Sequence, residues 1–354
     1  MDDEKKVPDT GIDSLESYAK VHPVKRAIRT KAFPLFVLVV VMVVVFSFLS
    51  PRANQGFQAF FRMKTVWTIL RDLAVPGFLT IGVAMLIVAG NFDLSAANVA
   101  AMSGVIIAVT QAWTEIPWPV AIVIALAASA AAGTLNAILV NELNQAPFIA
   151  TMATSTVLGA IILILCTDKT GTVIGAVNFK NAQFGQIGGY RVFGEVPAAS
   201  VVMVLAVIIY GLALSKSKFG RTLYLMGGNR AATYLAGINP RKISYFLFIN
   251  CSLLASIAGI VNASRVQMGG AQSFATMQFT GITAAILGGI SFGGGSGGLG
   301  GAFLGLIVIQ TFGQGMITSG GNVYLTPVLS GVLLVIALTF DYFNVRMQNK
   351  RVGA

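Results

Sequence analysis

Asn91-Phe92-Asp93-Leu94-Ser95 places an amide, a carboxylate and a hydroxyl within an otherwise apolar stretch, and Asp93 is the only acidic residue between Asp72 and Glu115. A charge near the bilayer centre costs about 2.5–3.5 kcal/mol, so this carboxyl needs a cap, water or a partner. One reading makes Asp93 or Ser95 the cap of a helix beginning near Ala96; the other makes the segment a polar break beside a solute path. The two are compatible. The other polar groups in the apolar runs are uncharged: Asn136, Asn250, Ser252, Gln310, Thr311 and Gln314. Such amides and hydroxyls hydrogen-bond either a neutral polar solute or a neighbouring helix. Asn91, Asp93, Asn136, Asn250 and Gln310 are the candidate path residues.

Several other chemistries are excluded. His22 is the sole histidine and lies in the polar N-terminal segment, and the spans hold no paired carboxylates for acid–base work. No catalytic residue, metal site or cofactor is expected, and the chain does not read as an enzyme. The run GGGSGGLGG at Gly293–Gly301 invites comparison with a phosphate-binding loop, but no Lys-Ser or Lys-Thr follows it. It reads as a flexible or re-entrant connection that lets helices approach closely. Cys166 and Cys251 lie far apart in apolar runs and read as small core residues.

The elements that must position these groups are membrane spans. Of 354 residues, 55% are hydrophobic and only 10% charged, with mean hydropathy +0.79. No Asp, Glu, Lys or Arg occurs from Val266 to Phe340. Backbone in lipid must satisfy its own hydrogen bonds, so runs of this length predict an all-α polytopic membrane protein of about ten helices, some short or broken. The runs are 33–49, 73–90, 96–112, 117–140, 149–166, 198–214, 243–261, 281–290, 301–317 and 323–340. Residues 1–31 form a cytoplasmic N-terminal tail, 32–341 the transmembrane domain and 342–354 a C-terminal tail. LIVAGNFDLSAANVAAMSG from Leu86 and AILGGISFGGGSGGLGGAFLG from Ala285 echo one another, either as a repeat of the kind found near transport paths or as two chance glycine-rich turns.

With the N-terminus inside, cytoplasmic segments collect 16 of the 24 Lys and Arg residues. The net charge of +11 is thus explained by orientation and anionic lipid, without nucleic acid. Arg52, Arg62, Lys64 and Arg71 in the first external loop run against this rule. The basic loop 215–242 falls inside, carrying six cations and no acid. Within it Asn229 is placed to cap a short helix and Gly237 to stop it. A helix of about two turns is marginal alone and needs a docking partner. The spans as drawn hold no ionisable group to couple ions, so the driving energy enters from outside the bilayer.

GRTLYLMGGNRAATYLAGINPRKISYF, from Gly220 to Phe246, resembles the cytoplasmic coupling segment of permease subunits of bacterial ATP-binding cassette importers, in the ribose, galactose and xylose branch. The resemblance extends to NFDLS at Asn91–Ser95, where Asn91-Phe92 stands in place of the usual Gly-Ile, and to AILGGISFGGG from Ala285. It implies a pore subunit in the bacterial inner membrane, paired with a second copy or close relative, two cytoplasmic ATPase subunits and an extracytoplasmic solute-binding protein. It implies ATPase-coupling roles for Gly228, Asn229, Ala231, Ala232, Gly237 and Ile238. The expected cargo is a small neutral monosaccharide. The alternative is an ion-coupled secondary carrier or facilitative channel for a neutral polar solute.

Overall fold

The computed structural model describes residues 32–49, 60, 62–168, 170–322 and 324–352. The expected N-terminal tail, with His22, lies outside the described residues, as does Arg52. Thirteen helices follow in order: α1 Ala32–Leu49, α2 Met63–Val88, α3 Ala96–Trp113, α4 Trp118–Asn141, α5 Pro147–Leu165, α6 Ala182–Gly189, α7 Ala198–Lys216, α8 Lys218–Gly228, α9 Arg230–Leu235, α10 Pro240–Val266, α11 Thr280–Leu287, α12 Leu299–Ser319 and α13 Leu325–Val352. Two small antiparallel sheets pair β1 (Ala176–Asn178) with β4 (Met268–Gly270) and β2 (Arg191–Val192) with β3 (Val196–Pro197).

Among the described residues, seven helices are long and apolar enough to cross a membrane: α2, α3, α4, α5, α7, α10 and α12. The apolar parts of α1 and α13, Phe33–Leu49 and Leu325–Thr339, are shorter, and α11 has only eight residues. The expected count of about ten spans is therefore not reached on length and composition. Residues expected as a C-terminal tail continue α13 as far as Val352.

The expectation that the spans contain no ionisable group is corrected. Helix α2 begins at Met63, ten residues before the predicted start, and its 26 residues, about 39 Å long, include Lys64, Arg71 and Asp72. Helix α10 likewise continues to Val266 and carries Arg265. Three of these charges compensate one another: Asp72 Oδ1 accepts from Arg71 Nε and from Arg265 of α10, each at 3.1 Å.

Helix α10 packs against α2, α3 and α4, and α12 against α1, α2 and α11. Small side chains allow close approach. Gly133 and Ser129 of α4 face α10, and a β-carbon at Gly133 would strike Phe248 O and Ser252 Oγ. Ser103 of α3 hydrogen-bonds both Ser129 and Ser256 at 2.9 Å, tying α3, α4 and α10 together. Cys166 and Cys251 are free and buried.

The polar segment between α5 and α7 is well built. Asn181 caps α6 by accepting from Phe184 N at 3.0 Å. Ser264 of α10 then accepts from Gly188 N at 2.8 Å and donates to Phe184 O at 2.6 Å, fixing α6 on α10.

Candidate functional site

Two broken junctions and one short loop carry the site. The first junction ends α2. Gly90, at φ +74°, donates to Ile87 O at 2.9 Å, and Asn91 N donates to Leu86 O at 2.9 Å. This paired closure needs a left-handed residue, which glycine supplies at no steric cost. Five residues later α3 begins, and Asp93 braces the residue before it, accepting from Ser95 N at 2.7 Å and from Ser95 Oγ at 2.6 Å, with no side-chain cap on the helix itself. Ser95 is no cap itself; its hydroxyl links Asp93 to Asn136 of α4, whose Nδ2 donates to it at 2.8 Å. Leu94 is held twice, its N–H donating to Thr151 of α5 at 3.1 Å and its carbonyl accepting from Gln278 at 3.1 Å. Asp93 is 1% exposed, and its Oδ2 has no hydrogen-bond partner of ordinary geometry, although the Cys251 thiol faces the carboxyl.

The second junction ends α11 in the same way. Gly289, at φ +91°, donates to Ile286 O at 2.9 Å and Ile290 N donates to Ala285 O at 3.1 Å. Beyond this stop lies Ser291, whose hydroxyl, with Phe292 N, donates to Asp341 of α13 at 3.0 Å. The junctions touch one another: the rings of Phe92 and Phe292 are 4.6 Å apart, and Gly295 N donates to Val88 O at 2.9 Å. The glycine-rich run thus makes the close approach its composition predicts.

The basic loop contains two helices, where the sequence suggested one. Helix α8, missed because its glycines read as loop, is capped by Ser217, which accepts from Gly220 N at 3.0 Å. Its C-terminal end lies against both junctions. A β-carbon at Gly227 would overlap Val88 O and Gly295 N, and Tyr224 OH donates to Gly297 O at 2.7 Å. Helix α9 is the predicted one, six residues long. Asn229 Oδ1 caps it by accepting from Ala232 N at 2.9 Å. Gly237, at φ +78°, and Ile238 close it by donating to Tyr234 O and Thr233 O. Ala231, Ala232 and Gly228 are exposed, and no atom lies within 4 Å of a β-carbon placed on Gly228. Leu225 on α8 and Tyr234 and Leu235 on α9 are large apolar side chains left exposed on this basic loop.

A second thread leaves α9. Arg230 donates to Asn141 Oδ1 at the end of α4 at 2.7 Å, and Asn141 Nδ2 donates to Ser244 of α10 at 3.0 Å. Partial burial, then the neighbouring Arg241, lower the pKa of Arg230, which stays charged.

The five candidate path residues do not come together. Asn91 leaves the stop of α2 with its Nδ2 buried and unpartnered, while Asp93 and Asn136 join through Ser95. Asn250 accepts from Tyr210 OH at 2.6 Å, a tie between α10 and α7. Gln310 lines a separate cavity of about 330 Å³ at the opposite end of α2, with Asp72, Thr276, Thr280, Gln314 and Ser330 among its walls. Sequence reasoning missed Thr151, Gln278 and Asp341, which hold the junctions from distant segments and carry no local signal.

A family model described as "Branched-chain amino acid transport system / permease component" matches residues 65–338, a range holding both junctions and the basic loop. The ribose import permease protein RbsC of Bacillus subtilis (strain 168) is 29% identical over 301 residues, covering 85% of this chain and 89% of its own. RbsC of Escherichia coli (strain K12) is 28% identical over 306 residues, covering 86% and 92%. The L-arabinose transport system permease protein AraH of Escherichia coli (strain K12) is 28% identical over 289 residues, covering 82% and 85%. No solved structure matches the chain. A match over most of the length places the broken helices and the basic loop between them in one known class of machine: the chain belongs to the branched-chain amino acid transport system permease family, and is a transport component rather than an enzyme.

Proposed function

We propose that this chain is the translocation subunit of an ATP-driven importer for a small neutral monosaccharide in the bacterial inner membrane. It pairs with a second copy and works with two cytoplasmic ATPase subunits and an extracytoplasmic solute-binding protein. The observation that carries the substrate class is the cavity beside α12. Gln310, Gln314, Thr276, Thr280 and Ser330 set uncharged polar groups among mainly apolar walls that include Ile69, Met277, Ile309 and Ile317. Its one charged wall residue, Asp72, is already engaged by Arg71 and Arg265. An amino acid, which the family's description suggests, carries two charges that need partners of their own, whereas a polyol needs only hydrogen bonds. The names of the relatives point the same way.

Energy enters at α8 and α9, whose exposed apolar side chains fit a groove on an ATPase. Closure of the ATPases moves α8 and α9 as one body. The motion reaches the junctions through Gly227 and reaches α4 and α10 through Arg230. Changing exposed Ala232 to Glu should abolish uptake at normal membrane abundance, because it spoils docking without disturbing the fold. Labelled monosaccharides and labelled leucine, offered to cells making the whole transporter, test the reading. Monosaccharide accumulation should stop on ATP depletion and survive an ionophore, and leucine should not compete. The buried carboxyl of Asp93 is the one feature favouring an ion-coupled carrier, and for such a carrier the ionophore, not ATP depletion, would stop uptake.

A further inference from the structure

Orientation does not explain the basic residues of the first external loop, and the structure gathers two of them with a third cation into one place. Lys64 and Arg71 on α2 and Arg191 on β2 line an open cleft of about 600 Å³ with Trp67, Thr68 and Glu195. Neither Lys64 nor Arg191 joins an ion pair among the described residues. The positive-inside rule disfavours three cations on this face, so they need another reason to be there.

A second observation lies beside the first. The β2–β3 hairpin turns through Phe193 and Gly194, both left-handed at φ +52° and +80°. Phe193 is 96% exposed. Bulky side chains seldom adopt this backbone, and an aromatic ring held in it at a hairpin tip covers nothing of its own protein. The hairpin directly precedes α7, a membrane-length helix, and α8 directly follows it. Cleft and hairpin therefore lie on the face opposite the coupling loop.

We propose that the cleft and Phe193 form the docking site for an acidic surface of the solute-binding protein, an inference that rests on the importer reading above. The position of the cleft favours a solute-carrying protein over a lipid headgroup. Trp67, Thr68 and Arg71 line the cleft, while Ile69 and Asp72, on the same turns of α2, line the cavity. Cleft and cavity thus take adjoining faces of the same stretch of α2. Lys64, Arg71 and Arg191 steer an acidic patch and set the register, and Phe193 supplies the apolar anchor.

Right-side-out vesicles containing the whole transporter, washed and then resupplied with graded amounts of the cells' own extracytoplasmic protein fraction, test this. Lys64→Glu with Arg191→Glu should raise the amount of fraction needed for half-maximal uptake at least tenfold, and Phe193→Ala about fivefold. Basal ATP hydrolysis and membrane abundance should be unchanged. Added salt should weaken the wild-type response, since exposed charges are screened. Wild-type dependence on the fraction with unchanged variants would overturn the docking site and leave the importer reading intact. Uptake without the fraction would overturn both. A variant effect that tracks the phosphatidylglycerol content of the vesicles instead would assign the cleft to lipid and overturn the inference.

Discussion

The two junctions stop their helices with the same device and then part company. Leu86 and Ala285 occupy equivalent places, Gly90 and Gly289 take the same left-handed turn, and the same pair of backbone hydrogen bonds closes each end. Beyond the stop, the first junction is fixed by side chains from three directions: Asp93 within it, Asn136 and Thr151 from α4 and α5, and Gln278 from before α11. The second is held by Asp341 at its start, by the Phe92 ring against Phe292 and by the Tyr224 hydroxyl at Gly297, and elsewhere by backbone against backbone, at Val88 and Gly227. The first junction is a fixture and the second a joint, and α8 touches both. Glycine at such a meeting leaves no side chain to lock, so the joint follows what pushes it.

Gly227→Val should break this arrangement most severely. The added side chain has no space between Val88 and Gly295, overpacking by about 3 kcal/mol or more, and uptake per inserted molecule should fall by about a hundredfold. Gly228→Ala, with open space around it, should leave thermal stability unchanged. Equal losses of stability for the two would refute the claim that α8 bears on the junctions. Asp93→Ala comes next. Stranding the Ser95 amide and hydroxyl should cost about 2 kcal/mol, read as a lower melting temperature, whereas Asp93→Asn keeps an accepting oxygen and most of the stability. Asp341→Ala should cost about 1 kcal/mol and should speed amide exchange across 288–298 while sparing 89–95. Faster exchange in both segments would erase the distinction between fixture and joint. Phe292→Leu is the mildest, removing the ring contact with Phe92 for about 0.5–1 kcal/mol.

Features set by neighbours in sequence were legible before the structure. The Asn229 cap and the Gly237 stop of α9 are local chemistry, whereas the cap expected from Asp93 or Ser95 is not formed and Asp93 instead holds Ser95. The echo between Leu86 and Ala285 was visible but indistinguishable from chance, because its content is a hydrogen-bond pattern rather than a residue pattern. The start of α2 was misplaced since Lys64, Arg71 and Asp72 look like loop until Arg265 arrives from α10. The candidate path residues scattered because sequence shows which side chains are polar and not which way they face: Asn136 and Asn250 serve as ties between helices, while Gln310 lines a cavity. Hydropathy misleads about burial in the same way. The window of α7, the most apolar of the seven long helices, is 22% buried, and that of α2 is 89% buried. Lipid rewards the greasiest helices on the outside, where no packing competes.

Tyr234 and Leu235 on α9 are 70% and 85% exposed. On the proposed orientation they project into the cytosol, so a copy made in excess of its companions displays a bare greasy knob to proteases and chaperones. Such surveillance removes proteins according to what they leave uncovered. On that reading, covering these two side chains is part of what assembly accomplishes before any solute moves.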